Sequence, residues 1–233
     1  IIGDYDIDGI FSTYILYDGL KACGAYVDYT LPHRIRDGYG LSEKLIRDAY
    51  EQGCDTILTC DNGIAAAAEI DLAKQLGMTV IVTDHHEVPL HWEGDTSTAV
   101  LPAADAVVDP KRTDCAYPCK GICGAVVAWK VLWLVQRICG QPDAWKKYLA
   151  FAAFATIGDV MELRGENRTI TALGLQQLRQ TDNVGLQALT AASGMEPDQI
   201  RAYHIGYVIG PCINATGRLD TAKRALELLT ETD

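Results

Sequence analysis

Residues 79–86 read Thr-Val-Ile-Val-Thr-Asp-His-His, a β-branched run that stops on an acid and two histidines. By composition and length the run is a strand. Asp55 to Cys60 has the same character and ends on Asp61-Asn62-Gly63, and Ile64 to Leu76 between the two has a helical pattern. Strand, helix, strand at this spacing predicts a βαβ unit and a parallel sheet. The pattern continues on both sides. A short strand ends at Ile2 before Gly3-Asp4, a helix spans Ile10 to Ala22, and Val27 to Leu31 reads as a strand. Ser42 caps a helix running to about Glu51, and Ala106 to Val108 is a last short strand before Asp109-Pro110. Glu87 to Asp105 reads as a long loop.

After Gly121 strand-forming runs disappear. Helical patterns cover Ile122 to Ile138, Ala144 to Ile157, Ile170 to Gln180, Val184 to Ala192 and Ala222 to Leu229. The expected fold class is α/β: a parallel-sheet domain with flanking helices, followed by a mainly helical segment.

Composition narrows the class of protein. With 233 residues, 48% hydrophobic and 22% charged, the chain has an average globular balance and not that of a disordered one. Its longest apolar stretch, Ala125 to Val135, is broken by Lys130 and falls short of the roughly 18 residues of a membrane span, so no membrane contact is expected. Eight cysteines, with Cys23, Cys54, Cys60 and Cys139 in apolar runs, suit buried reduced thiols and a cytoplasmic location. The chain opens at Ile1 without Met, as a segment internal to a longer protein would. Its net charge of −11 is opposite to the broad basic footprint of a nucleic-acid binder. A nucleic-acid substrate would therefore need metals or a local Arg/Lys cluster to hold its phosphates.

The chemistry-bearing residues gather where elements end. Asp4, Asp6 and Asp8 form Asp-Tyr-Asp-Ile-Asp-Gly after the first strand; Asp61 and Asp84-His85-His86 follow later strands, and Asp159 closes an apolar helical run. Ligand sites in open α/β sheets form at the carboxyl ends of strands, where these clusters would converge. Packed carboxylates repel unless protonated or neutralised, and a mixed Asp/His set suits Mn²⁺, Mg²⁺ or Zn²⁺. The donors suffice for two ions about 3.5–4 Å apart. Taken singly, each cluster reads more readily as a turn or cap than as a ligand, and His85-His86 could be a solvated pair. Four clusters arriving at one edge favour the metal site.

These motifs, in this order, resemble the DHH phosphoesterase family: Asp4-Tyr5-Asp6-Ile7-Asp8-Gly9, Asp61-Asn62-Gly63, Asp84-His85-His86 and Gly158-Asp159-Val160-Met161. Within it the chain resembles the RecJ branch through Pro32-His33-Arg34 with Gly38-Tyr39-Gly40-Leu41, Gly124 to Ala128, Ile209-Gly210-Pro211, Ile213-Asn214-Ala215 and Gly217-Arg218-Leu219. The resemblance runs from residue 1 to about 220. It implies residues 1–120 as the α/β metal-binding part of a DHH domain, 121–220 as its helical part with the last metal-ligand motif, and 221–233 as the start of a linker helix to a further domain.

The resemblance also implies roles. Asp6 and Asp8 would each take one of two Mn²⁺ or Mg²⁺ ions, Asp61 would bridge them, and His85 and Asp159 would complete one of the two. Asp4 is a further candidate ligand. His86 would face the substrate phosphate and stabilise developing charge, while Asp84 orients a ligand or holds the turn. Arg34, Tyr39, Asn214 and Arg218 are candidate substrate-binding residues. Arg34 reads equally as a solvated loop charge, Tyr39 as packing and Asn214 as a turn-holder. Two positions depart from the family pattern: Ile2 stands where many members carry His, and Cys212 where RecJ-like proteins usually carry Arg.

The implied activity is divalent-metal-dependent phosphodiester hydrolysis, a 5′→3′ exonuclease releasing mononucleotides from single-stranded DNA in repair or recombination. Single-strand-binding or repair proteins are its candidate partners. The alternative is an oligonucleotide or cyclic-dinucleotide phosphodiesterase, and a third class is an inactive binding module. Elsewhere, Cys115, Cys119 and Cys123 read as ordinary thiols, and Trp129 and Trp133, four apart on an apolar helix, as core.

Overall fold

A computed structural model describes residues 1–232. Strands β1 (Thr56–Cys60), β2 (Thr79–Thr83) and β5 (Ala106–Val108) form a parallel sheet in the order β1-β2-β5. Its register aligns Cys60 with Thr83 and Thr83 with Val108, so Asp61, Asp84 and Asp109 leave neighbouring strands at one level. Ile2 continues the sheet beyond β1 through single parallel bridges to Thr59 and Thr30, which delivers Gly3-Asp4 to the same edge.

Both faces of the sheet are covered, as parallel sheets require. Helices α2 (Glu43–Glu51) and α3 (Ala67–Gln75) press Leu45, Ile46 and Ile70 onto Ile57, Val80 and Val82. Ser42 caps α2 by accepting from the Leu45 amide. On the other face lie α1 (Ile7–Ala22), α4 (Gly124–Ile138) and α5 (Leu149–Gly158). Phe11 of α1 stacks on Phe154 of α5 with centroids 4.7 Å apart, and Val126 and Leu132 of α4 share that core. Helices α6 (Gly165–Leu178) and α7 (Val184–Ala192) add Ile170, Leu178 and Leu186 to it, and α8 (Ala202–His204) leads through a wide π turn (Ile205–Ile209) into α9 (Gly210–Leu219). The last helix, α10 (Lys223–Thr230), packs against α1 and α7. Asp233, the final residue of the expected linker, lies outside the described residues. No described helix is long and apolar enough to cross a membrane.

Several expected elements differ. The segment expected as one loop from Glu87 to Asp105 contains a hairpin, β3 (Leu90–Glu93) paired with β4 (Thr96–Ala99). All eight of its strand residues are exposed, and the alternation Leu90-His91-Trp92-Glu93 is too short to stand out; the turn Gly94-Asp95, with Gly94 at φ +61°, is the further signal. Val27 to Leu31 is not a ladder: only Thr30 pairs, at the sheet margin. The helices expected from Ile64 and Ala144 begin as α-helix only at Ala67 and Leu149, the latter after a 3₁₀ turn (Ala144–Tyr148).

The helical run 205–219 is not expected from sequence, because Gly206, Gly210-Pro211 and Gly217 read as breakers. Pro211 sits in the first turn of α9, where its missing N–H costs nothing. Of the four cysteines in apolar runs, Cys60 is buried, Cys23 and Cys54 are half-buried and Cys139 is exposed; elsewhere Cys123 is buried and Cys212 exposed. Trp129 is buried, and Trp133 lies half-buried against Trp145.

Candidate metal centre

The sheet edge and two helix ends build the site. Asp6 is the N-cap of α1, its carboxylate accepting from the Asp8 and Gly9 amides at 3.0 Å each. Helix α1 can start there because Gly9 lies against the Asp4 backbone: a Cβ at Gly9 would stand 2.5 Å from the Asp4 nitrogen. The first helical turn thus brings Asp4, Asp6 and Asp8 together. Asp8, buried, turns to the N-terminus of α4 and accepts from the Gly124 and Ala125 amides at 2.6 and 2.8 Å. That helix end favours a carboxylate electrostatically.

Asp61 leaves β1 with φ +61°, a left-handed conformation that Asp tolerates better than most residues. Gly124 makes room for it, since a Cβ at Gly124 would lie 2.7 Å from the Asp61 Cβ. Asp159 caps the C-terminus of α5. Val160 follows at φ +57°, exposed, an uncommon conformation for a β-branched residue.

Three sets of donor atoms converge: Asp4, Asp6 and Asp61; Asp8, His85 and Asp159; and Asp61, His85 and His86, each set within 4.8 Å. His85 is the hub. Its Nε2 lies 3.0 Å from Asp61 Oδ1, 3.4 Å from Asp8 Oδ2 and 3.9 Å from Asp159 Oδ2. Asp84 plays a different part. Its Oδ1 accepts from the His85 amide and pairs with His86 Nδ1, both at 2.7 Å, while Oδ2 accepts from the Ile64 amide at 2.9 Å. It organises the turn and holds the His86 ring.

The electrostatics of the cluster favour a cation among its carboxylates. Burial foremost, then Asp6, raises the carboxyl of Asp4 to about 7. Burial likewise raises Asp8 and Asp159 to about 6, and Asp61 well above the ordinary carboxylate range with Asp8 adding to the effect. Burial lowers His85, so no imidazolium compensates them. Asp4 Oδ2, Asp61 Oδ1, Asp159 Oδ2 and His85 Nδ1 are buried without a hydrogen-bond partner. Orphaned carboxylate oxygens around a neutral imidazole fit divalent cations that accept oxygen and nitrogen donors. By contrast, Asp84 is held below its usual value against burial by its bonds to His86 and to backbone amides, and that bond raises His86.

The remaining candidates flank this centre. The Tyr39 hydroxyl donates to the Asp61 carbonyl at 3.0 Å and approaches the His86 ring at 3.2 Å. Arg34 lies over the Tyr5 ring, 5.8 Å from its centroid. Asn214 Oδ1 accepts from the Ile7 amide at 2.8 Å and so ties α9 to the start of α1. Arg218, in the last turn of α9, is exposed. A groove of about 340 Å³ runs from Tyr39 past His86 to Ala66 and Glu69.

Sequence reasoning missed Asp109. It is buried at the end of β5, Oδ2 has no partner, and burial raises it to about 6. The signal is the same as for the other clusters, an acid directly after a strand.

Comparison with known proteins adds an independent line. A family model described as the DHH family, N-terminal domain, matches residues 1–156. The single-stranded-DNA-specific exonuclease RecJ of Bacillus subtilis (strain 168) is 39% identical over 234 residues, which take in 100% of this chain and 28% of that protein. A crystal structure of exonuclease RecJ bound to manganese superposes with a TM-score of 0.84 at 37% identity, covering 98% of this chain and 55% of the other. RecJ from Thermus thermophilus in complex with Mn²⁺ superposes with a TM-score of 0.80 at 35% identity, covering 100% and 32%. This chain therefore spans well under two thirds of each of these proteins.

Proposed function

This chain belongs to the DHH family, and from that premise we propose that it carries a two-metal phosphodiesterase centre that hydrolyses single-stranded DNA from its 5′ end to mononucleotides, in repair or recombination. The observation that carries the reading is the pair of donor sets, Asp4/Asp6/Asp61 and Asp8/His85/Asp159, joined through the contact between Asp61 and His85. Each set would hold one Mn²⁺ or Mg²⁺, with Asp61 shared between them. Residues 1–120 and 121–220 then act as one catalytic unit; in support, α1 with Asp8 and α5 with Asp159 at its end share one core.

When bound, such ions supply a nucleophilic water near neutral pH and neutralise phosphate oxygens. The chain does the rest. His86, whose protonated form is favoured by its bond to Asp84 and which is half open to solvent, stabilises the charge that develops on the phosphate. Asp84 fixes the ring, and Tyr39 braces the Asp61 carbonyl beside it. Arg34 and Arg218 hold backbone phosphates, and their planar guanidinium groups suit bidentate contact. Asn214 positions the first turn of α1. The site works in the cytoplasm, with single-strand-binding or repair proteins as associates.

The net charge of −11 favours a second reading, a phosphodiesterase for short oligonucleotides or cyclic dinucleotides. One assay separates them: Mn²⁺-dependent release of mononucleotides by the full-length protein from a 5′-phosphorylated single strand, the matching duplex and a dinucleotide. Release from the strand and none from the duplex is expected. Hydrolysis confined to dinucleotides or cyclic dinucleotides would replace the exonuclease with the second reading.

A further inference from the structure

The two helices that frame the metal centre also meet at their far ends. Helix α1 starts at the Asp6 cap, and α4 starts with the Gly124 and Ala125 amides on Asp8. They contain 16 and 15 residues and run side by side in the same direction. Between their ends Gly19 admits Leu132, whose side chain would collide with a Cβ there. At the C-terminal end the Gln141 side chain donates to the Ala22 carbonyl at 2.8 Å.

Each helix closes on the same dipeptide. Cys23-Gly24 ends α1 and Cys139-Gly140 ends α4, with the cysteine as C-cap and the glycine left-handed, at φ +86° and +77°. Two parallel helices of nearly equal length, joined at both ends, thus bring their caps together. The thiols are neighbours: burial first, and then a hydrogen bond with the Cys139 thiol, raises the Cys23 thiol above its ordinary value. Cys23 is half-buried and Cys139 exposed, so one sulfur of the pair is open to solvent. Neither Gly24 nor Gly140 has any atom within 4 Å of where a Cβ would stand. The chain beyond each cysteine therefore has room for the small shift that the fixed geometry of a disulfide requires.

We propose that Cys23 and Cys139 are a redox modification site, where hydrogen peroxide closes a reversible disulfide that clamps the far ends of α1 and α4. The exposed sulfur of Cys139 attacks one peroxide oxygen, the O–O bond breaks, and a sulfenic acid and one water result. The Cys23 sulfur then displaces the sulfenic oxygen as a second water and forms the S–S bond. Two thiols give up two electrons and two protons, and the peroxide takes them. A helix C-terminus disfavours a thiolate, so the pair suits oxidative exposure and not rapid cycling. The bridge joins positions 116 apart in sequence. It lies about 24 Å from the start of α1, at about 1.5 Å per residue, and so leaves the donor sets untouched.

The test treats the full-length wild-type protein, Cys23→Ser and Cys139→Ser with a modest excess of hydrogen peroxide. Remaining thiols are blocked with N-ethylmaleimide, and the protein is digested without reduction for mass spectrometry. A peptide linking Cys23 to Cys139 is expected in the wild type, absent from both variants and lost on treatment with dithiothreitol. Amide hydrogen exchange in the last turns of α1 and α4 should slow by about tenfold when the wild type is oxidised and stay unchanged in Cys23→Ser. Recovery of the two cysteines separately, whether blocked by maleimide or with Cys139 carried on to sulfinic acid, would overturn the proposal. So would either cysteine joined to any other thiol, in the same chain or a second one. A linked peptide with exchange unchanged would overturn the clamp.

Discussion

His85 Nε2 lies 3.0 Å from Asp61 Oδ1, and both side chains are almost wholly buried. An imidazole lowered by burial does not neutralise a carboxylate raised by burial, and a cation between the donor sets would let Asp61 act as an ionised ligand beside it. Asp61→Asn keeps the shape and tolerates the left-handed backbone but removes the charge. Its thermal midpoint in EDTA should rise above wild type. Its Mn²⁺-dependent hydrolysis should fall by more than the roughly 10–100-fold loss typical of residues behind the ligands. Turnover at the wild-type rate would exclude Asp61 as a shared ligand.

The metal-free protein should be less stable at neutral pH than in mild acid. Asp4 is raised to about 7, and Asp8, Asp109 and Asp159 to about 6, above the ordinary value of 3.8. A raised carboxyl binds its proton more tightly in the folded state, so its stabilising contribution is full below 3.8 and lost as pH rises through 6 to 7. His86, also raised, acts in the same direction at the upper end. Denaturant midpoints in EDTA should therefore fall between about pH 4.5 and about 7.5. Saturating Mn²⁺, which needs the ionised carboxylates, should reverse that slope.

Asp84→Asn removes the charge that raises His86 while sparing the donor sets. The imidazole then loses its proton at lower pH. The alkaline limb of kcat/KM should move toward acid, and kcat should fall about 10–100-fold. A rate loss with an unmoved pH profile would mean that Asp84 serves only the turn.

Gly124 is the position where the fold and the centre compete for space. An added Cβ would press the Asp61 Cβ at 2.7 Å and its Oδ1 at 2.9 Å. Gly124→Ala should destabilise the protein by about 1–3 kcal/mol and weaken Mn²⁺ affinity, as read by calorimetric titration. Wild-type affinity would show that Asp61 can retreat without cost.

Val160 holds a left-handed backbone that suits glycine, and its side chain is 87% exposed. Little packing is lost on truncation, so backbone strain decides the outcome. Val160→Gly should be more stable than Val160→Ala by about 1 kcal/mol in chemical denaturation. The reverse order would place the strain elsewhere.

The central elements are legible because their signals are local. Thr79–Thr83 and Ala106–Val108 match the expected strands residue for residue, since β-branched runs that end on an acid leave little choice. Asp61, Asp84 and Asp159 can be read because each directly follows an element whose direction the topology sets. What escapes depends on distant partners. The hairpin Leu90–Glu93/Thr96–Ala99 has no buried strand residue, and Leu90 and Trp92 alone are too short a pattern to mark it. The glycines of 205–219 look like breakers in sequence, but Gly210 and Gly217 are where α9 meets Ile7 and Tyr5. The Gly124 and Ala125 amides on Asp8 connect residues 116 and 117 apart, which no local spacing encodes.

The most direct test of the centre is the number and coupling of Mn²⁺ ions in the full-length protein, by equilibrium titration and electron paramagnetic resonance. Two ions per chain with an exchange-coupled signal are expected, and Asp61→Asn should abolish the coupling. One isolated ion, or none at saturating Mn²⁺, would contradict the shared-carboxylate centre.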